Sequence, residues 1–194
     1  MKILKVLKNI WAQLHRFVFW AIILSILWCW IYTFVDDAPR EKKVLFYIDA
    51  YGLEERALTL RLEEECLPEG IKMIRVRSFD YDIFGSSLNG DLYLMKESIL
   101  KATLDESPEK LAAIELPAGR KGYEWNGKTW GILAFDPAAQ KGPAMDYIQY
   151  ALPGASEPES YYLCFEANAY HLASQSGALD NAAWEVGMAL LNVE

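Results

Sequence analysis

The chain has 194 residues, 53 % of them hydrophobic, and a formal net charge of −8. All 27 acidic residues follow position 35, but four of the 19 basic residues precede it, so the part after position 35 carries about −12. Nucleic acids and anionic lipid surfaces are bound through positive charge, so this excess of acid argues against both as partners of that part. We expect no nucleic-acid partner.

An apolar run near the N-terminus predicts a membrane anchor. Residues 17–35, FVFWAIILSILWCWIYTFV, contain no acidic, basic, Asn or Gln side chain. A helix rises ~1.5 Å per residue, so the run spans about 28 Å, close to the hydrocarbon core of a bilayer. Basic residues precede it and Asp36 and Asp37 follow it. The positive-inside rule therefore predicts a cytoplasmic segment at residues 1–16, a transmembrane helix at 17–35 and an extracytoplasmic remainder.

A cleaved signal peptide is the alternative interpretation of the same run. The apolar region of such a peptide is ~7–15 residues long and ends in small residues at the cleavage site. Residues 33–37, TFVDD, lack that pattern. A lipoprotein signal at Cys29 would need a small residue before it, and Trp28 stands there. We therefore expect an uncleaved anchor that contacts the lipid bilayer through residues 17–35.

The remainder is long enough for one domain, predicted at residues 44–194 after a polar linker at 36–43. Three apolar segments predict central strands covered on both faces: VLFYIDA (44–50), DLYLM (91–95) and YYLCFEA (161–167). IKMIRVRSF (71–79) alternates apolar with basic side chains, which predicts a strand nearer an edge of the sheet.

Apolar spacing predicts helices at residues 54–67, 96–104, 108–114 and 181–191. Asn126–Gly127 between apolar flanks predicts a hairpin. The alternation of strands and helices predicts an α/β fold: a single lobe with a mostly parallel sheet, flanking helices and a hairpin, preceded by one transmembrane helix.

Residues able to carry chemistry are few. His15 and His171 are not near a nucleophile motif such as G-x-S-x-G, so we expect no catalytic residue and a structural His171. No Cys/His cluster or glycine-rich phosphate loop is present, which predicts no cofactor. Cys66 and Cys164 are expected as two separately buried thiols, although an exported domain also permits a disulfide between them.

Two loops have features of ion-binding sites. The turn after the first strand leads into a helix, where anions bind in open α/β sheets, but Glu54 and Glu55 there would repel a phosphate. Asp80 and Asp82 open a segment that partly matches a calcium loop, but Asp91 stands where the bidentate glutamate should be. We expect no bound metal and a solvated acidic loop.

The strand and helix pattern resembles a known family. VLFYIDAYGLEERALTLRLEEECLPEGIKMIRVRSFDYDIF is similar to the opening of an extracytoplasmic solute-binding protein of an ABC importer, and NGKTWGILAFD resembles a hairpin that recurs there. YYLCFEANAYHLAS and DNAAWEVGMALLN resemble the end of short, membrane-anchored bacterial proteins with a reduced version of that fold. Solute-binding proteins have two lobes, whereas residues 44–194 provide one.

The resemblance implies a tethered, non-enzymatic binding or interaction module. Its partner would be a small neutral or cationic solute, or a membrane protein. Aromatic side chains at strand ends suit a ligand cleft, though they suit a core equally well. The candidate ligand-binding residues are Tyr51, Gly52, Asp80, Tyr81 and Trp130. The alternative is a structural or scaffold subunit of a membrane protein complex with no small-molecule ligand.

Overall fold

The computed structural model describes residues 2–79, 88–152, 158–173 and 179–193, which form two compact units, Met1–Ala38 and Pro39–Glu194. The first unit is helix α1 (Lys2–Asp36). Its stretch Gln13–Ile31 is the one span among the described residues that is long and apolar enough to cross a membrane. Large apolar side chains such as Phe17 and Trp28 are each 70 % exposed. An exposed apolar helix of this length is compatible with single-pass anchoring.

The second unit is built on a sheet with the strand order β3–β1–β4–β8–β6–β5, and two further short strands, β2 and β7, pair with each other. The strands are β1 (Lys43–Ile48), β2 (Gly52–Leu53), β3 (Met73–Ser78), β4 (Leu92–Lys96), β5 (Gly122–Trp125), β6 (Lys128–Phe135), β7 (Ile148–Gln149) and β8 (Tyr161–Phe165).

The six-stranded sheet is mixed, so the predicted mostly parallel sheet is wrong. β1 pairs in parallel with β3 and β4, whereas the pairs β4–β8, β8–β6 and β6–β5 are antiparallel. A parallel connection needs a crossover of a dozen or more residues, usually a helix. The described residues between 107 and 160 contain a 3₁₀ turn and no α-helix. The hairpin makes β5 and β6 antiparallel, and β8 returns antiparallel to β6 with no crossover helix among the described residues between them.

Helices cover the sheet on both faces. They are α2 (Glu55–Glu65), α3 (Glu97–Glu106) and α4 (Ala182–Leu190). Leu62 of α2 and Val186 of α4 join the core cluster that contains Phe46. Leu100 of α3 joins a second cluster that contains Tyr93. Because side chains alternate along a strand, these two clusters lie on opposite faces of the sheet.

The predictions about individual strands are confirmed. Phe46, Leu94 and Leu163 are fully buried, and β1, β4 and β8 each have a neighbour on both sides. β3 is an edge strand, and its flanking Lys72 and its own Arg77 are exposed. Charged side chains are tolerated on β3 because one side of an edge strand faces solvent.

The predicted hairpin at Asn126–Gly127 is confirmed, whereas the predicted helix at 108–114 is wrong. Asn126 and Gly127 have φ values of 50° and 72°, the left-handed conformation that a two-residue hairpin turn of this type requires. After α3, only Pro108–Lys110 forms a 3₁₀ turn. Leu111 then makes a β-bridge with Glu166, and Ile114 makes one with Thr129. Those bridges require an extended backbone, so no α-helix forms over residues 111–114.

The globular unit begins earlier than the predicted boundary at residue 44. Arg40–Lys42 is a 3₁₀ turn, and the Arg40 guanidinium contacts Asp91 at 2.7 Å. Residues 40–43 of the predicted linker are therefore part of the folded unit. Cys66 and Cys164 form no disulfide; Cys164 is fully buried, whereas Cys66 is half-buried.

Candidate functional site

The carboxyl ends of β1 and β4 form a topological switch point. The two strands are parallel neighbours, and the chain leaves them toward opposite faces of the sheet. β1 continues to α2 in one core cluster, and β4 continues to α3 in the other. Open α/β sheets bind ligands in the crevice outside such strand ends. The residues that end these strands are therefore the first candidates for a site.

Three polar side chains meet at this point. Asp49 follows β1 and Lys96 ends β4, and the Lys96 Nζ lies 3.4 Å from the Asp49 Oδ1. The same Nζ lies 4.4 Å from the centroid of the Tyr51 ring. Asp49 is only 8 % exposed, whereas Tyr51 is 46 % exposed. The ion pair is thus largely withdrawn from water, and an aromatic ring with one open side lies over it.

A buried tyrosine adds a hydrogen-bonding group beside the ion pair. Tyr161 pairs with Lys96 in the sheet and is fully buried. Burial raises the pKa of Tyr161, and the nearby Asp49 carboxylate raises it further, so the hydroxyl stays protonated. That hydroxyl has no hydrogen-bond partner among the described residues. Buried polar groups are rarely left in this state, which sets the Tyr161 hydroxyl apart as an unsatisfied group beside the ion pair.

Gly52 has a structural part in this arrangement. It lies in β2 and pairs with Gln149 of β7, while the Tyr51 backbone N–H donates to the Gln149 carbonyl at 3.1 Å. A Cβ at Gly52 would lie 2.8 Å from the Gln149 Oε1. Gly52 therefore allows β7 to pack against the segment after β1, which holds Tyr51 in place. We call the set Asp49, Tyr51, Lys96 and Tyr161 the switch-point crevice.

Trp130 lies away from the switch-point crevice. Ile132 of β6 pairs with Leu163, so Trp130 lies toward the Phe165 end of β8 and Tyr161 marks the other end. The Trp130 indole N–H donates to the Trp125 carbonyl at 3.0 Å, and the ring borders a cavity of about 520 Å³. The structure does not bring Trp130 to Tyr51.

The acidic loop with Asp80 and Tyr81 lies outside the described residues. Within the described residues, no group of three or more His, Cys, Asp and Glu side chains is placed to hold a metal ion. An acidic side chain, Glu55, lies in the first turn of α2. Its carboxylate accepts a hydrogen bond from the Ser78 N–H at 2.8 Å and contacts the Arg77 guanidinium at 3.3 Å. Its carboxylate therefore ties α2 to β3.

Sequence reasoning missed Asp49, Lys96 and Tyr161. Asp49 could have been identified as a candidate, because it is the one acidic residue in the apolar segment 44–50. The other two could not, because their proximity requires β8 to lie next to β4 in antiparallel register.

Three cavities in the described part of the globular unit lie apart from the switch-point crevice. Those of about 740, 880 and 520 Å³ leave out all four of its residues. The crevice is marked instead by its chemistry, because a buried acid, a paired lysine and an unsatisfied hydroxyl converge on it.

Comparison with known proteins finds no relative: no protein-family model, curated protein or solved structure matches the chain. The resemblance to solute-binding proteins therefore stays a hypothesis that rests on sequence patterns.

Proposed function

We propose that the chain is a membrane-tethered, extracytoplasmic binding module that holds a small polar solute at the switch-point crevice and performs no reaction on it. The observation that carries this proposal is the meeting of Asp49, Lys96 and Tyr51 at the carboxyl ends of β1 and β4. Ligands bind at this position in open α/β sheets. The resemblance to solute-binding proteins, whose first strand ends at a ligand cleft, supports the same place.

The charge balance of the crevice favours a neutral ligand over an ionic one. Asp49 and Lys96 already neutralise each other at 3.4 Å. A hydroxyl or amide group satisfies both charges as donor and acceptor. The exposed ring of Tyr51 offers an apolar face to the carbon atoms of the same ligand. A sugar, polyol or amide-containing solute combines these features.

A binding role is favoured over catalysis by the environment of His171. The imidazole is fully buried, with its Nδ1 at 3.0 Å from Asp180 and its Nε2 at 3.3 Å from the Arg40 carbonyl. Both ring nitrogens are engaged inside the fold, so His171 serves structure. The crevice itself pairs a lysine with a carboxylate and contains no histidine, serine or cysteine.

Ligand binding is tested by the thermal stability of the detergent-solubilised full chain against panels of sugars, polyols, amino acids and peptides. A compound that raises Tm for the wild type should have no effect on Tyr51→Ala. The control is Leu60→Ala, because Leu60 is 52 % exposed on α2, away from the crevice. No Tm increase with any compound would instead favour the structural subunit of a membrane complex.

Topology is tested separately. The basic residues before residue 17 and the acidic excess after residue 35 support a cytoplasmic N-terminus. A reporter enzyme fused after Glu194 should be active outside the cytoplasm, and the mature chain should retain residues 1–35. A mature N-terminus found after Val35 by mass spectrometry would contradict the anchor.

A further inference from the structure

A second polar site lies at the amino end of the parallel strands, away from the switch-point crevice. There the globular unit has a cavity of about 740 Å³. We call it the amino-end cavity, and its walls include Arg40, Leu45, Asn89, Lys110, Glu166 and Asn168. Small-molecule sites in proteins have volumes of roughly 300–1,000 Å³. The volume is therefore sufficient for a small organic ligand, and the charged groups decide its chemistry.

Arg40 is fully engaged by the fold. Its Nη1 and Nη2 donate to the two carboxylate oxygens of Asp91 at 2.7 and 2.9 Å. The same nitrogens contact the carbonyls of Lys43 and Gly90, and the guanidinium lies 4.9 Å from the centroid of the Tyr170 ring. Arg40 is thus a structural counter-ion for Asp91.

Asp91 is saturated in the same way. It is fully buried, and besides Arg40 it accepts the backbone N–H groups of Leu45 at 2.8 Å and Tyr170 at 3.1 Å. A carboxylate with four donors has no capacity left for a ligand. The acid of the cavity wall that can take part in binding is therefore Glu166.

Glu166 is held toward the cavity by a short hydrogen-bond chain. The Gly90 N–H donates to the Tyr93 hydroxyl at 2.5 Å, and that hydroxyl donates to the Glu166 Oε2 at 3.1 Å. A Cβ at Gly90 would lie 2.9 Å from the Tyr93 Oη, so the chain depends on glycine there. Burial raises the pKa of the Glu166 carboxyl, and the hydrogen bonds from Tyr93 and the Gly90 N–H offset part of that rise. The charges of Asp91 and Arg40 act in opposite directions, and the pKa stays raised. Glu166 is thus an oriented, half-buried acid whose ionised form is less favourable than it would be in water.

We propose that the amino-end cavity binds a small organic amine, whose ammonium group pairs with the carboxylate of Glu166. The site is independent of the switch-point crevice. The ammonium donates to the Glu166 carboxylate and to the amide oxygens of Asn89 and Asn168, while the carbon skeleton lies against Leu45 and Leu88. The net charge of about −12 after position 35 raises the local concentration of such a cation.

Other ligand classes fit the amino-end cavity less well. An inorganic divalent cation would need several carboxylate ligands, and Asp91 is saturated, which leaves Glu166 alone. An anion would meet the Glu166 carboxylate directly, and its attraction to Arg40 is already offset by Asp91. Lys110 also lines the cavity and opposes a cation, so a charge change at Lys110 provides a test of opposite sign.

The test uses benzylamine with benzyl alcohol as its uncharged, nearly isosteric comparator. Binding to the detergent-solubilised full chain is measured by isothermal titration calorimetry. Benzylamine should bind to the wild type and benzyl alcohol at least tenfold more weakly. Glu166→Gln keeps the shape of the side chain and should weaken benzylamine binding at least tenfold. Lys110→Met should strengthen it, because one positive charge leaves the cavity wall.

Two controls make the result specific. Glu64→Gln removes the same charge from an exposed position on α2 and should leave benzylamine affinity within twofold of wild type. Tyr51→Ala should also leave it unchanged, which separates this site from the switch-point crevice. The proposal is overturned if benzylamine does not bind, if the alcohol binds equally well, or if Glu166→Gln leaves the affinity intact. If Glu166→Gln does not fold, Lys110→Met decides: unchanged or weaker binding overturns the proposal.

Discussion

At the scale of single residues, the half-buried carboxyl of Glu166 has a cost in stability. Glu166 lies near the buried, saturated Asp91, and its carboxyl is oriented by the Tyr93 hydroxyl. Burial keeps the pKa of this carboxyl raised even though Arg40 is close by. A charge held in this way is unfavourable in the folded state unless a ligand pairs with it. Functional residues are often placed at such a cost to stability.

This cost gives a pH-dependent prediction for Glu166→Gln. The folded-state pKa of Glu166 is raised above its ordinary value of 4.5, so the ionised side chain destabilises the folded state at pH 7. Above the folded-state pKa the variant should be the more stable protein. The difference should shrink as pH falls through the folded-state pKa and vanish below 4.5, where both states are protonated.

The measurement is the Tm of wild type and variant between pH 7.5 and 4, as bracketing conditions around the carboxyl titration. Glu64→Gln, at an exposed position, is the control and should show little pH-dependent difference. A variant less stable than wild type at pH 7 would show that the carboxylate of Glu166 stabilises the fold, contrary to the predicted sign.

At the scale of elements, burial separates the central strands from the edge strand. Phe46 in β1 and Leu94 in β4 are fully buried, and each is flanked by strands on both sides. Lys72, just before β3, is exposed. The apolar strands therefore carry the core, while β3 protects an edge with its charged side chains.

We expect Phe46→Lys or Leu94→Lys to prevent folding, because a fully buried ammonium without a partner cannot be accommodated. Lys72→Ala should change the free energy of unfolding by less than about 1 kcal/mol, as exposed substitutions usually do. Urea unfolding of residues 39–194, followed by circular dichroism, measures both. Near-normal stability of Phe46→Lys would mean that β1 is not a central strand.

At the scale of the whole molecule, the start of the globular unit is set by an ion pair rather than by the first strand. Pro39 opens the compact unit, and Arg40 neutralises Asp91 across 51 positions of sequence. A chain that begins at Lys42 keeps every strand but loses that counter-ion. Asp91 would then be a buried carboxylate without a cation.

Removing one partner of a buried ion pair destabilises a fold by about 3–5 kcal/mol. Residues 42–194 should therefore be less stable than residues 39–194 by roughly this amount, reduced somewhat because Arg40 is partly exposed. Arg40→Met in the longer chain should reproduce the loss. Arg61→Met is the matched control: its pair with Glu65 is exposed on α2, and its removal should cost less than about 0.5 kcal/mol. Equal stability of the two chains in urea would show that the ion pair is dispensable.

What the sequence determined by itself is local. The apolar run of α1, the uninterrupted apolar strands, the charged edge strand and the Asn126–Gly127 turn all follow from side-chain spacing or from residues that favour a particular φ. These features depend on residues a few positions apart in the sequence, so they can be predicted before the fold is known.

The tertiary structure decided the rest, because it depends on strand order and register. The antiparallel placement of β8 beside β4 brings Tyr161 to Lys96. Together with the antiparallel pairs β8–β6 and β6–β5, it makes the sheet mixed where a parallel one was predicted. Tyr93 and Glu166, 73 positions apart, meet through the same pairing. No spacing rule within the chain specifies which distant strands become neighbours, and both candidate sites combine residues from different strands and from the segments beside them.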